Sequence, residues 1–260
     1  MDKVSKIEAL CFDDVLLEPQ YSNIQSRHDI DIMFSDYDSN SLSIGSREVK
    51  LPIFASPMDT VVDACSARIM AEEGVIPILH RYCSIENQAF DYREATETPG
   101  APVGAAIGIT GDYEERAQEL YHAGCRIFCL DVAHHHKLMK AALQNMNHLL
   151  GDEIYLMAGN VATLSGFEDL TNWGADFVRA GVGGGSVCST RIITGHGTPT
   201  LQTILNCADS EADGYIVADG GIRSSGDIVK AFSAGADFVM LGSMLSCHNE
   251  SPGVTWEIDG

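Results

Sequence analysis

Residues 215–242 read YIVADGGIRSSGDIVKAFSAGADFVMLG. The stretch holds an apolar run (YIVADG, 215–220), a turn rich in glycine and serine, a helix-like segment (SGDIVKAFSAG) and a second apolar run (DFVMLG, 237–242). The helix-like segment ends in glycine, the residue that closes helices in the left-handed conformation. Two short strands joined through a helix by brief connections make a parallel βαβ unit, because parallel strands need a crossover to lie side by side.

Six more runs of this kind lie upstream: PIFAS (52–56), VIPIL (75–79), PVGAAIG (102–108), RIFCLD (126–131), IYLMAG (154–159) and DFVRAG (176–181). All eight start 22 to 28 residues apart, except for a gap of 39 before the seventh. Between them stand helix-like segments such as DACSARIMAEEG, DYEERAQELYHAG and HKLMKAALQNMNHLLG. Eight βα units in 260 residues predict a (β/α)₈ TIM barrel. An open doubly wound sheet, the alternative, has fewer strands. The expected organisation is a single barrel domain over 1–260, with residues 1–51 as a lead-in bearing a hairpin or two. Beyond the rhythm of the runs, no internal repeat is expected.

In such barrels the site forms at the C-terminal ends of the strands. The residues there are Ser56-Pro57-Met58-Asp59, His80-Arg81, Asp131, Gly159-Asn160, Asp219-Gly220-Gly221 and Gly242-Ser243. The long gap before the seventh strand is GVGGGSVCSTRIITGHG (181–197), with six glycines around one thiol, Cys188. Long insertions at the catalytic face carry function. Cys188 is therefore either a small buried apolar group or a nucleophile activated near Arg191. The glycine-rich turns after the last two strands predict a phosphate cradle built from backbone N–H groups. Asp219 is placed to accept from ribose hydroxyls, or else to partner Arg223.

Composition narrows the partners. The net charge is −21, with 37 acids against 16 bases, and an acidic surface repels nucleic acid. A mononucleotide is still compatible with a local cradle. None of the eight cysteines forms a Cys-x-x-Cys pair, which argues against zinc ribbons and thioredoxin-like chemistry. MDKVSKIEAL has no apolar signal core, and no run reaches membrane-span length, so a cytoplasmic location with free thiols is expected. His134-His135-His136 carries no metal-site spacing, and consecutive side chains diverge, so a metal is not expected there.

CFDDVLLEP, SPMDTV, GGGSVCSTRIITGHG, ADGGIRSSGDI and FVMLGSML together resemble the IMP dehydrogenase/GMP reductase family, from about residue 7 onward. The resemblance implies a homotetrameric barrel that acts on a purine nucleoside monophosphate, GMP or IMP, with NADPH or NAD. It implies Cys188 as the nucleophile at purine C2, Thr190 as the residue that helps activate the leaving group or water, and Glu250 as the acid paired with Thr190. It implies substrate contacts from Ser56, Met58, Ser186, Asp219, Gly220, Gly221, Gly242 and Ser243. Cofactor contacts are implied for Asp131, Ala133, His134 and Asn160. The carbonyls of Gly183, Gly185 and Cys188 are implied to hold a monovalent cation, potassium, although Gly184 stands where the family commonly has proline.

Three readings of activity follow. In a GMP reductase, GMP and NADPH give IMP, ammonia and NADP. In an IMP dehydrogenase without CBS domains, IMP, NAD and water give XMP and NADH. A non-catalytic barrel would bind a purine nucleotide without turnover. The absence of a CBS insertion between the second and third strands, with CLDVAHHH and ESPGVTWEIDG, favours the reductase, whereas SPMDTV and STRIITG look closer to the dehydrogenase. Relatives continue past a matching Asp-Gly into a flap and a final helix, neither of which is seen here, so the natural protein is expected to extend beyond Gly260.

Overall fold

The computed structural model describes residues 9–34, 42–132, 137–186 and 188–253. Eight strands close a parallel barrel: β3 (Ile53–Ala55), β4 (Ile76–Leu79), β5 (Gly104–Ile107), β6 (Ile127–Asp131), β7 (Tyr155–Val161), β8 (Phe177–Ala180), β9 (Tyr215–Asp219) and β10 (Phe238–Leu241). They pair in chain order, and β10 closes the ring against β3 through Val239↔Ile53, Met240↔Phe54 and Leu241↔Ala55. In the lead-in, β1 (Ser43–Ile44) and β2 (Arg47–Glu48) form one short antiparallel hairpin. Each of the eight predicted runs holds one barrel strand.

The helices between the strands are α1 (Ala64–Glu72), α2 (Ile85–Ala95), α3 (Tyr113–His122), α4 (Lys137–Leu150), α5 (Leu164–Asn172), α6 (Thr190–Thr194), α7 (Thr200–Cys207) and α8 (Ser225–Ser233). Several begin at a residue whose side chain accepts a backbone N–H from the first turn: Asp63 for α1, Ser84 for α2, Thr163 for α5 and Ser224 for α8. None of the helices among the described residues is long and apolar enough to cross a membrane. From Gly242 to Gly253 the chain runs in turns, with Leu245 and Ser246 both donating to the Gly242 carbonyl.

Strand periodicity sorts the core into two layers. Phe54, Ile78, Ile127, Met157, Phe177, Val217 and Phe238 point into the barrel, while their neighbours Phe128, Leu130, Val178, Ala218 and Val239 pack under the helices. Full burial of each large apolar side chain contributes about 1.5–3 kcal/mol. Phe177 and Phe238 meet edge to face at 5.3 Å, and Phe34 of the lead-in stacks on Phe238 at 4.7 Å. The same parity carries Asp131, Arg179 and Asp219 inward at the opposite end, above Cys129, Phe177 and Val217.

An internal repeat exists, contrary to the expectation of none. Gly-Ala-Asp-Phe-Val occurs at 174–178 and again at 235–239. Gly174 (φ +104°) ends α5 and Gly235 (φ +105°) ends α8. The Asp176 carboxylate then accepts the Leu156 N–H at 2.7 Å, and that of Asp237 accepts the Ile216 N–H at 2.7 Å. Each aspartate thereby clamps its strand to the strand before it. Burial pushes both carboxyls above their ordinary range, against the opposing effect of these backbone bonds.

Candidate active site

At the C-terminal ends of the strands lies a cleft of about 680 Å³. It is lined by Ser56, Met58, Asp131, Asn160, Gly183, Gly185, Ser186, Cys188, Thr190, Asp219, Gly220, Gly221, Gly242 and Ser243. Residues from six strand ends are thus brought to one opening. Ala133 and His134 lie outside the described residues, as does the rest of the histidine run.

The cradle end is made by three loops. Ser186 of the glycine loop donates to Ser243 after β10 at 3.4 Å, so two hydroxyls stand together. Gly220 (φ +89°) turns the chain after β9 so closely under the glycine loop that a Cβ there would lie 2.8 Å from the Gly185 nitrogen. Gly184 is held as tightly, because a Cβ on it would lie 2.7 Å from Thr200 Oγ1. Backbone therefore meets backbone where the cradle forms, and only glycine permits it.

Cys188 is half-buried just ahead of α6. Its thiol donates to Thr190 Oγ1 at 3.3 Å, and its N–H donates to the Gly185 carbonyl at 3.1 Å. Burial pushes the thiols of Cys125, Cys129 and Cys207 each up to about 12. None of the eight cysteines is in a disulfide.

Arg191 does not face the cleft. Its guanidinium donates to the carbonyls of Val182 (3.3 Å) and Thr198 (2.8 Å), stitching the two ends of the glycine loop from behind. This removes it as an activating neighbour of Cys188. The Arg191 side chain packs against Gly183 so closely that a Cβ there would meet its Cγ at 2.4 Å, and the Gly185 carbonyl already accepts from Cys188.

Glu250 does not line the cleft either. Ser251 Oγ bonds the Thr60 carbonyl at 2.7 Å, which pins this segment to the β3–α1 loop and leaves Glu250 exposed on its turn. The expected pairing with Thr190 is not formed.

The floor of the cleft holds a cluster that sequence reasoning missed. Arg179, 8% exposed, donates from Nη1 to Asp131 Oδ1 at 2.6 Å. It also donates from Nε and Nη2 to Asp219 Oδ2 at 3.1 and 2.9 Å. Asn160 Nδ2 adds bonds to the same Asp219 oxygen and to the Gly181 carbonyl, both at 2.7 Å. Burial opposes the charge on Arg179, but Asp219 and Asp131 outweigh it and hold the guanidinium protonated. Burial likewise pulls the Asp131 carboxyl up, but Arg179 outweighs it and holds the group below its ordinary range, aided by Arg81. The signal was present in DFVRAG: an arginine two residues after an inward phenylalanine must also point inward.

Arg81 and Tyr82, at the end of β4, complete the lining. Arg81 Nε is buried with no hydrogen-bond partner among the described residues. Tyr82 is 64% exposed at the rim. An orphaned cationic N–H beside an open aromatic ring fits a ligand with a planar ring and acceptor oxygens.

Residues 9–260 match the family model described as IMP dehydrogenase / GMP reductase domain. A GMP reductase from Paracidovorax citrulli is 36% identical over 260 residues, covering 98% of this chain and 76% of that protein. Human GMP reductase 1 is 35% identical over 266 residues, covering 100% of this chain and 75% of its own. An inosine-5'-monophosphate dehydrogenase from Nitrosopumilus maritimus is 42% identical over 197 residues, 74% of this chain and 41% of the relative. The crystal structure of inosine 5' monophosphate dehydrogenase from Legionella pneumophila superposes with a TM-score of 0.84 at 42% identity, over 96% of this chain and 73% of that one.

Proposed function

The chain belongs to the IMP dehydrogenase / GMP reductase family of oxidoreductases, and on that premise we propose that it reduces GMP to IMP through a covalent bond between Cys188 and purine C2. The observation that carries this reading is the cleft itself, in which the Cys188–Thr190 pair, the Ser186–Ser243 cradle and the Arg179–Asp219 ion pair share one opening.

The cradle residues Ser186, Gly221, Gly242 and Ser243 take the phosphate. Asp219 takes the ribose. Its Oδ2 is held by Arg179 and Asn160, which leaves Oδ1 as the acceptor for hydroxyls and fixes the carboxylate plane before substrate arrives. Ser56 and Met58 flank Gly242, their Oγ and Sδ each 3.5 Å from where its Cβ would stand, and bound the base.

The Cys188 thiol proton is relayed through the Thr190 hydroxyl, which it already contacts and which hands its own proton on to the purine, and sulfur bonds to C2. The C2–N2 bond breaks, and the exocyclic nitrogen leaves as ammonia after taking up a proton. Asp131, Arg81, Tyr82 and Asn160 are the residues that would hold a nicotinamide dinucleotide, NADPH in this direction. When bound, it supplies the hydride that replaces sulfur at C2 and frees the Cys188 thiolate. No step is routed through Glu250 or a potassium ion.

The reductive direction is supported by the β4–β5 connection, which holds α2 and no inserted domain. The second reading is oxidation of IMP with NAD, supported by the 42% identity to the Legionella dehydrogenase over nearly the whole chain. Assembly as a homotetramer belongs to either reading, supported by exposed apolar side chains at Leu16 and Tyr21 in the lead-in and at Ile192 and Ile193 on α6. One assay tests both directions: GMP with NADPH, against IMP with NAD. NADPH loss with equimolar ammonia supports the first reading. NADH formed from IMP alone replaces it with the second, and no turnover with either pair overturns both.

A further inference from the structure

Behind the Arg81–Tyr82 wall lies a buried polar chain that the mechanism above does not use. Gln88 on α2, 1% exposed, donates from Nε2 to the His80 carbonyl at 3.0 Å and the Ala106 carbonyl at 2.9 Å. Its Oε1 accepts from Arg116 Nη1 at 2.8 Å. Arg116 on α3, 6% exposed, also donates from Nη2 to the Cys83 carbonyl at 3.1 Å and to Asp112 Oδ2 at 2.8 Å.

The targets of these bonds distinguish them from simple helix packing. The His80 carbonyl lies one residue before Arg81, and the Cys83 carbonyl one residue after Tyr82. The short loop is thus gripped at both ends. Within it, the Tyr82 N–H donates to His80 Nδ1 at 3.2 Å, and the two rings stack at 5.8 Å. Burying an arginine and a glutamine costs solvation that only a satisfied network offsets. Two apolar side chains would tie α2 to α3 without that cost, but they would leave the loop carbonyls without donors.

We infer that Gln88 and Arg116 are positioning residues: they hold the 80–83 loop so that Arg81 and Tyr82 meet the nicotinamide dinucleotide at a fixed distance. This rests on the reading given under Proposed function. It adds that binding of the dinucleotide, and not of the monophosphate, depends on two residues that touch neither.

The test is calorimetric titration of the full chain in a Cys188→Ala background, which stops turnover, with GMP alone and then with NADPH on the GMP complex. IMP and NAD replace them if that is the pair the unmutated chain turns over. Arg116→Lys keeps the charge but loses the planar fork that serves three acceptors. The expected result is that Arg116→Lys weakens dinucleotide binding about tenfold while monophosphate binding stays within about twofold. In the unmutated background the dinucleotide KM should rise by the same factor, with a smaller change in kcat. Tyr82→Ala, on an exposed side chain, should give the same selective loss, and Arg116→Lys should then add little to it, since both act through one loop.

Equal weakening of both ligands would overturn the inference, as would unchanged dinucleotide binding in a folded Arg116→Lys protein. If Arg116→Lys does not fold, Tyr82→Ala and Asp112→Asn decide. Selective loss in both supports the inference, and no loss in either overturns it. A Cys188→Ala chain that takes neither dinucleotide beside its monophosphate would instead sink the functional reading, and this inference with it.

Discussion

Arg179 grips Asp219 through a single carboxylate oxygen, Oδ2, with Nε at 3.1 Å and Nη2 at 2.9 Å, while its remaining nitrogen holds Asp131 at 2.6 Å. One guanidinium thus joins the carboxylate assigned to the ribose and the carboxylate assigned to the cofactor. Removing it leaves two acids facing each other across the floor of the cleft. Arg179→Leu is expected to lower stability by about 3 kcal/mol, the scale for breaking one side of a buried ion pair. Urea unfolding would read this. A loss below about 1 kcal/mol would mean that the acids find other partners.

Cys188 should be the one cysteine whose reactivity answers to nucleotide. Cys11, Cys65 and Cys247 are exposed and should alkylate whether or not ligand is present. Cys125, Cys129 and Cys207 are buried with raised pKa and should resist. Peptide mass spectrometry should show GMP or IMP protecting Cys188 alone. Cys188→Ala should abolish turnover and leave monophosphate affinity within about threefold, since covalent attack needs the thiolate and the cradle does not. Turnover by that variant would remove the nucleophile assignment.

The acid limb of the stability profile should carry the mark of Asp131. Burial raises its pKa, but Arg179 more than reverses this, so the folded carboxyl titrates below the unfolded one. The stability it contributes is present above the ordinary aspartate range and is lost as pH falls through the folded value, below about pH 4. Asp131→Asn should flatten that fall. Asp237 has the opposite sign: burial raises its pKa, so its contribution is complete below the ordinary range and is lost as pH rises through the folded value. Asp237→Asn should remove that second loss. Urea midpoints measured across the acid range would show both slopes.

Gly220→Ala addresses the cradle. The position has φ +89°, and a methyl group would stand 2.8 Å from the Gly185 nitrogen. The glycine loop would have to lift, which parts Ser186 from Ser243. Monophosphate affinity should fall about tenfold or more, with the global fold kept. Unchanged affinity by calorimetry would show that the phosphate sits elsewhere.

The barrel was legible because its signal is repeated eight times and each copy obeys the same period. Cys188, Asp219 and the glycine turns were legible because strand ends are where a barrel puts its chemistry. Arg179 was not singled out, since a charge inside an apolar run announces a site only once neighbouring strands show it a carboxylate. Arg191 was misjudged for a related reason. Proximity in sequence does not say on which side of a loop a side chain emerges, and Arg191 emerges behind the loop that carries Cys188.

The twin Gly-Ala-Asp-Phe-Val segments divide each strand into a stem and a tip. The stem stops a helix, clamps the neighbouring strand and fills the barrel with a phenylalanine, and it is letter for letter the same at 174–178 and 235–239. Only the tips differ: Arg179-Ala180 in one, Met240-Leu241 in the other. What the shared letters hold in common, the tips tell apart: Arg179 joins two acids at the floor of the cleft, while Met240 and Leu241 pair with Phe54 and Ala55 to close the ring. One stem thus serves both a word of chemistry and a word of closure.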